Sequence, residues 1–350
     1  MTTGRPGTAA APNGAYAGQV VQFPDPLRAG KYPAGVQVDA AGMPDFGPYA
    51  AAVAEVADPP DGFGVDELRL TDYVSANAAL YTQGHPLWAD QDTAVATPPG
   101  WTWHHVMGRA APGWRRMELV PVEVKALLRH HGGLAHSGAD HGRRGTRPLQ
   151  EHRPAHFPLA LDGGDPLAVT EDLVQRAEQR LGHPLPPAYR DFLKLAGGRA
   201  PVGVALDTEL GLLLDQPFLT LSEEYGVQDL VYANKCLRDH LTKDYLGIAY
   251  VQGGLLALKV RGEGTGSVWF CLYDDARDAG DPAESPEQRV ARLLLPCGAD
   301  FDQFLLRLAG SPQELETVAA MMVDGGFVRA VPANVPVNVP ANGEGAQQAW

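Results

Sequence analysis

The stretch from Ser137 to Pro158, SGADHGRRGTRPLQEHRPAHFP, has no apolar periodicity and divides the 350-residue chain into two lengths that do. A segment without recurring apolar residues has no face to bury, so neither a helix nor a strand can run through it into a shared core. The chain is therefore predicted to form two units of ordinary domain size joined by a linker. Forty glycines and thirty prolines exceed average usage and add loops to that division. Residues 1–41, rich in Gly, Ala and Pro, are predicted to be unstructured, as is the low-complexity tail 331–350. The units lie at 42–136 and 166–330, with 137–165 a basic linker.

Charge is unevenly spread. Residues 1–100 carry a net −7, residues 101–158 a net +5, and residues 159–350 a net −12, within a total of −14. Nine of the eleven histidines fall between His85 and His156. A positive, histidine-rich window inside an acidic chain points to a phosphate-bearing partner. Arg143, Arg144 and Arg147 of the linker could contact nucleic acid or simply be solvated. No apolar run approaches the roughly 18 residues of a membrane span, and no signal peptide is evident. The expectation is a cytoplasmic protein with no membrane partner, which leaves export by another route open. Cys236, Cys271 and Cys297 have neither zinc spacing nor an even pairing and are predicted to be reduced and buried.

In the first unit, VDELRLTDYVSANAAL (65–80) is predicted helical, with Leu68, Val74 and Leu80 among its apolar positions. WTWHHV and RRMELV read as strands around a Gly/Pro loop. VEVKALLRHH reads as a helix entered at Pro121 and ended by Gly132–Gly133. In the second unit, Thr170 is a predicted N-cap for a helix with Leu173, Val174, Ala177 and Leu181 on one face. AYRDFLKLA resumes a helix, and YLGIAYVQG, GLLALKVRG and SVWFCLYDD read as successive strands. FDQFLLRLAG and SPQELETVAAMM close the unit as helices. Tyr189, Phe192 and Trp269 are predicted core residues. Asp274–Asp275 and Glu223–Glu224 are predicted to be solvated acidic edges.

Strand, loop, strand, helix with His104 and His105 on the first strand and His130 and His131 at the helix end can converge imidazoles on one cation. Neutral imidazole binds divalent metals, and its unperturbed pKa of about 6.5 suits a general base. Arg109, Arg115 and Arg116 would grip flanking phosphates. On a regular strand, however, His104 and His105 point to opposite faces, so a shared site requires the strand to end or bulge there.

The blocks GMPDFGPYA, RLTDYVSAN, TPPGWTWHH, MELVP and HHGG, in order over about 42–133, resemble the WHH family of the HNH/endonuclease-VII superfamily. These are nuclease domains of bacterial polymorphic toxins with a treble-clef-like, ββα-metal core. The resemblance implies that His104, beside Trp103, binds a metal, that His105 is the general base, and that His130 completes the site. It makes Arg69 and Asp72 supporting residues. The implied cofactor is one divalent ion, magnesium first and zinc or manganese as alternatives. The implied partner is nucleic acid, DNA rather than RNA. Lys125 stands where the family has a histidine, so it could hold a phosphate but not act as a base without a large pKa depression; His131 is an extra histidine.

TEDLVQRAEQRLGHPLPPAYRDFLKLAGG, through Leu181–Gly182, Leu185–Pro186, Tyr189, Phe192–Leu193 and Gly197–Gly198, resembles the opening of the SUKH superfamily over about 166–310. That implies an α+β domain with helices on a mostly antiparallel sheet, of a kind that commonly serves as an immunity protein against toxin nucleases. The combined expectation is an endonuclease and an immunity-type domain on one chain, the second contacting and inhibiting the first. The alternative is a catalytically inactive nuclease-like domain in an immunity or decoy protein that binds a cognate toxin.

Overall fold

The computed structural model describes residues 12–58, 65–108, 110–131, 133, 161 and 169–331, the last span with short gaps at 202–203, 208–209, 223–225, 276, 279–280, 282 and 309–311. Most of the predicted linker, including Arg143, Arg144 and Arg147, lies outside the described residues, as do Arg109, Glu223–Glu224 and the segments 1–11 and 332–350.

The expectation that residues up to 41 are unstructured is corrected from residue 12 onward. Strands β1 (Val20–Val21), β2 (Val36–Val38) and β3 (Pro44–Asp45) form an antiparallel sheet, with helix α1 (Pro26–Lys31) between the first two. Pro26 sits in the first turn of α1, and the Asp25 side chain caps it by accepting from Arg28 N at 2.9 Å. Phe23, Tyr32, Val36, Val38 and Phe46 are buried here with Val120, Val124, Leu127 and Leu128 of the histidine-rich window. Strands of two and three residues are too short to show an alternating pattern, which is why periodicity missed them.

The centre of the N-terminal unit is a second antiparallel sheet. Its strands include β4 (Ala52–Ala57), β5 (Trp101–Val106) and β6 (Trp114–Pro121), with helix α2 (Val65–Thr82) lying on one face. Tyr73, Ala76, Ala79 and Leu80 of α2 meet Ala54, Val56, Trp101, Trp103, Met117 and Leu119 of the sheet. Leu70, Val74 and Ala78 on the opposite side of α2 meet Val204, Leu213 and Ala319. A helix apolar on both sides belongs inside a protein, and α2 is covered on both.

The helix predicted over 122–131 is a single turn, α3 (Val122–Lys125). Beyond it the backbone bonds elsewhere. Ala126 O accepts from His240 Nε2 at 2.9 Å, Arg129 O accepts from Asn13 Nδ2, and His130 N donates to Tyr273 O at 3.3 Å. Each bond takes a group that a continuing helix would have used internally.

The C-terminal unit follows the predicted pattern more closely. Helix α4 (Glu171–Leu181) is capped by Thr170, whose Oγ1 accepts from Leu173 N at 3.3 Å, and ends at Gly182 with φ +77°. Helix α5 (Pro187–Ala196), strands β7 (Ala205–Asp207) and β8 (Leu212–Leu214), and helix α6 (Leu230–Lys235) lead into β9 (Tyr245–Val251), β10 (Gly254–Lys259) and β11 (Val268–Leu272). Helix α7 (Pro286–Leu293), strand β12 (Leu295–Gly298) and helix α8 (Phe301–Arg307) complete an antiparallel sheet in the order β12-β11-β10-β9 and its helices. Tyr189 and Phe192 are core as predicted, Trp269 is partly buried against the core, and the three cysteines are buried and free.

The chain does not end in that unit. Helix α9 (Pro312–Asp324) lies along α2, and strand β13 (Val328–Val331) pairs with β4, giving a sheet of order β13-β4-β6-β5. The predicted boundary of 166–330 is corrected accordingly: the last two elements belong to the first unit, and the ββα piece 101–125 is part of a larger sheet. Removing everything after residue 311 should therefore destabilise the N-terminal unit. The amides of Ala57, which donates to Phe327 O at 2.8 Å, and of Glu55, which lies opposite Arg329 on the same edge, should lose hydrogen-exchange protection while those of β10 keep theirs. The loss should be at least about 2 kcal/mol, the contribution of burying one valine.

Candidate active site at the edge of strand β5

Strand β5 is regular across the WHH triplet, with His104 opposite Glu118 and His105 opposite Met117. Neighbouring side chains therefore leave on opposite faces. Trp103 and His105 point toward α2. Trp103 Nε1 donates to Asn77 Oδ1 at 2.7 Å, and His105 Nε2 lies 2.9 Å from Asp72 Oδ2. Asp72 also accepts from Arg115 through Nη2 at 2.7 Å and Nε at 3.1 Å. Burial would raise the Asp72 pKa, but the bonds from His105 and Arg115 outweigh it and hold it below its ordinary value. An ionised carboxylate only accepts, so His105 Nε2 carries the proton and Nδ1 carries the lone pair. That Nδ1 is buried and has no hydrogen-bond partner among the described residues. Burial lowers the His105 pKa, and Asp72 opposes this only in part.

On the other face, the His104 ring meets His130 at 5.0 Å and Phe46 at 5.0 Å between centroids. His130 Nδ1 donates to Leu128 O at 3.2 Å, which leaves Nε2 as a buried nitrogen with no partner among the described residues. Burial, followed by the nearby Lys125 ammonium, pushes the His130 pKa down to about 4. The structure thus brings His104 and His130 together and sends His105 to a separate dyad with Asp72. Convergence of all three on one ion is not observed.

β5 is an edge strand, and its outward backbone groups need partners. Gln252, at the turn between β9 and β10, accepts from Trp103 N at 3.1 Å and from Thr102 Oγ1 at 3.2 Å. Lys125 Nζ donates to Trp103 O at 2.5 Å. Lys125 is buried, and desolvation lowers its pKa to about 8 although Asp274 favours the charged form.

The segment after β11 closes the edge. Arg69, 2% exposed, donates from Nη2 to Asp274 Oδ1 at 3.3 Å and from Nη1 to Asp66 at 3.1 Å. Arg129 pairs with both oxygens of Asp278 at 2.7 and 2.6 Å, and His131 Nε2 donates to Asp278 O at 2.5 Å. Asp274 and Asp275 are buried, which corrects their expectation as solvated edges: Arg69 compensates the first and Arg277 the second, at 2.6 Å. Arg115 also reaches Asp58 at 2.9 Å, and Arg116 lies 3.4 Å from Glu118. Both arginines are thus engaged with carboxylates rather than presented for phosphate.

His104 and His130 could contribute to a metal site. No group of three His, Cys, Asp or Glu among the described residues could hold an ion, even though Glu118 sits across from His104. The donor set seen here therefore does not fit the divalent ion that the sequence implies. Four further histidines, His136, His141, His152 and His156, lie outside the described residues. Sequence reasoning missed Gln252, Asp278 and Glu118. The acidic run at the end of SVWFCLYDDARD was the available signal, and it gains meaning only beside Arg69 and Arg129.

With this geometry in place, two family models match parts of the chain. Residues 94–140 match a family described as a nuclease of the HNH/ENDO VII superfamily with conserved WHH. Residues 168–307 match the SMI1/KNR4 family, SUKH-1. No curated protein matches the chain. Nuclease-type and immunity-type segments thus occur in the predicted order, and nucleases of the HNH/ENDO VII type are generally metal-dependent. No described helix is long and apolar enough to cross a membrane.

Burial of neutral imidazoles at this junction makes its stability depend on pH. His130 is held at about 4, and His240, buried against Ala126 and Tyr273, at about 3. Both lie below the unfolded value of about 6.5, so the unfolded chain binds more protons between those values. Stability should be fully present above pH 6.5 and fall as pH drops toward 4, by on the order of 2–3 kcal/mol per imidazole. Asp215, whose carboxyl burial raises, opposes this only toward the carboxylate range. Urea unfolding at a series of pH values measures the slope, and His240→Gln should flatten it.

Proposed function

We propose that this chain is a phosphodiester-cleaving endonuclease, acting on DNA rather than RNA, held closed by its own SUKH-type unit. One observation carries the reading. Segments matched as SUKH reach the WHH strand through Gln252, α2 through Asp274 on Arg69, and the segment after α3 through Asp278 on Arg129, while His104, His105, His130 and His131 are all buried. A nuclease whose imidazoles are sealed from water has neither nucleophile nor substrate access.

In the opened form, His105 is the general base. Its Nδ1 is the nitrogen that can take a proton from water, and Asp72, anchored by Arg115, fixes the ring and favours the imidazolium that results. Trp103, locked to Asn77, holds the strand that presents His105. His104 and His130 are the imidazoles on which a divalent ion, magnesium or alternatively zinc or manganese, would draw, and among the described residues no third donor joins them. Closure is intramolecular, so the cover acts at an effective concentration of order millimolar. This is the arrangement expected of a bacterial toxin-type nuclease carried with its immunity domain.

A second reading rests on Lys125. It stands where the family resemblance calls for histidine and is used to cap Trp103 O. A lysine in that place suits a nuclease-like scaffold without chemistry, serving as an immunity or decoy protein toward a cognate toxin.

Supercoiled plasmid incubated with the full chain, with and without each divalent ion, separates the two. The unaltered protein should leave plasmid intact. Asp278→Ala combined with Gln252→Ala should raise nicking at least tenfold, and adding His105→Ala should remove it. A double variant shown to be open by hydrogen exchange yet inert with every ion would establish the decoy reading instead.

A further inference from the structure

We infer that Arg69 and Lys125 form an anion cradle at the β5 edge that takes a phosphodiester group of the substrate, and that the Asp274 carboxylate occupies the cradle as its stand-in. The inference rests on the nuclease reading for the identity of the ligand, but not for the existence of the cradle.

Three observations converge. The first is position. Arg69 lies one turn before Asp72 on α2, so the guanidinium that meets Asp274 shares a helix face with the carboxylate that orients His105. Lys125 donates to Trp103 O on β5, and its charge is, after that of Arg69, the one that acts most on Asp274.

The second is surplus donor capacity. Arg69 Nε is buried with no hydrogen-bond partner among the described residues. Lys125 Nζ has three hydrogens, and its bond to Trp103 O uses one of them. Asp274 engages a single nitrogen of the arginine, at 3.3 Å. A ligand with two charged oxygens and more reach would use donors that aspartate leaves idle. A phosphodiester has such a group, with two non-bridging oxygens and one negative charge, the same valence and charge as a carboxylate.

The third is how firmly Asp274 is delivered. Its neighbour Tyr273 is clamped on both backbone sides, by His130 N donating to Tyr273 O at 3.3 Å and by Tyr273 N donating to Gly253 O at 2.9 Å. Asp278 by contrast makes an ordinary two-oxygen pair with Arg129, which is 16% exposed. One carboxylate latches the unit and the other fills a site. The field at Asp274 agrees: Arg69 and then Lys125 overcome burial and hold its pKa at about 2.

The test is chemical rescue of the full chain, read without nuclease activity. Asp274→Ala should lower the melting temperature by several degrees. Millimolar formate or inorganic phosphate, at constant ionic strength, should restore it saturably where chloride does not. Asp278→Ala should show no such rescue, and adding Arg69→Gln to Asp274→Ala should weaken the phosphate response at least tenfold. An Asp274→Ala chain that responds to phosphate no more than to chloride overturns the cradle. Should that variant not fold, Asp274→Asn keeps the shape without the charge. The Lys125 pKa, followed by NMR, should then fall below its value in the unaltered chain, and an unchanged pKa overturns the cradle as well. A rescued chain that never nicks plasmid when opened supports the cradle while refuting the nuclease reading; a nicking chain blind to anions does the reverse.

Discussion

An edge strand leaves half its backbone N–H and C=O groups without ladder partners, and burying such an edge demands a partner for each. In this chain the buried edge is β5, the strand that carries Trp103, His104 and His105. At Trp103 that demand is met by a glutamine amide from the β9–β10 turn and an ammonium from α3. The rest of the junction is arranged around those two bonds. Gln252 also donates from Nε2 to both oxygens of Asp215, at 2.9 and 3.0 Å, and Asp215 accepts from Thr97 N at 3.0 Å. The turn can approach this closely because Gly253 has φ +76°, and a Cβ there would lie 2.6 Å from Tyr73 Oη. Glycine is required at that position both by conformation and by space.

Charge is the second constraint. Placing arginine and carboxylate together in a protein interior costs desolvation that only good pairing offsets, so such pairs give weak stability but strong specification of which surfaces meet. The N-terminal segment shows the same logic on the opposite flank. Arg28 is buried beside Glu123 at 3.3 Å, while Tyr32 donates to Glu123 at 2.6 Å and Lys31 approaches it at 2.6 Å. Asp25 then accepts from Tyr232 of the second unit at 2.9 Å. The histidine-rich window is thus held by opposite charge on both flanks: its Glu123 meets cations of the N-terminal segment, and its Arg129 meets Asp278 of the second unit.

What could be read from the sequence followed the length of each periodic signal. Helix α2, helix α4 with its Thr170 cap, and strands β9 to β11 have apolar repeats long enough to show their period. β5 and β6 were legible because aromatic and β-branched residues flank a Gly/Pro loop. The short strands near Val20 and Val36 were not, and neither was the return of β13 to β4, a pairing between residues more than 250 positions apart. At the site, strand alternation already implied that His104 and His105 diverge, and they do. The burial of Asp274 could not be foreseen, because the cation that permits it lies on a helix in the other half of the chain. Local composition reads an acidic pair as solvated unless its partner is known.

The topology also limits how such a cover could be removed. The N-terminal unit supplies chain on both sides of the SUKH-matched segment: α3 precedes it, and α9 and β13 follow it and rejoin the central sheet. A cover tethered at both ends cannot be lost by dilution, unlike an inhibitor on a separate chain, because each reopening leaves it at the same effective concentration. Opening must therefore be driven by something that binds the exposed edge better than Gln252 and Asp274 do, or by loss of one tether. The contacts that would have to yield are of two kinds: polar ones, Gln252 on Trp103, Asp278 on Arg129 and Asp274 on Arg69, and apolar ones, where Leu70, Val74 and Ala78 of α2 meet Val204 and Leu213. Water or a polyanion can replace polar contacts group for group, whereas an apolar interface of the same extent would have to be exposed outright. In the proposed nuclease such a junction would be closed by tethering at both ends together with polar and apolar contacts, and the polar ones are those a polyanion can displace first.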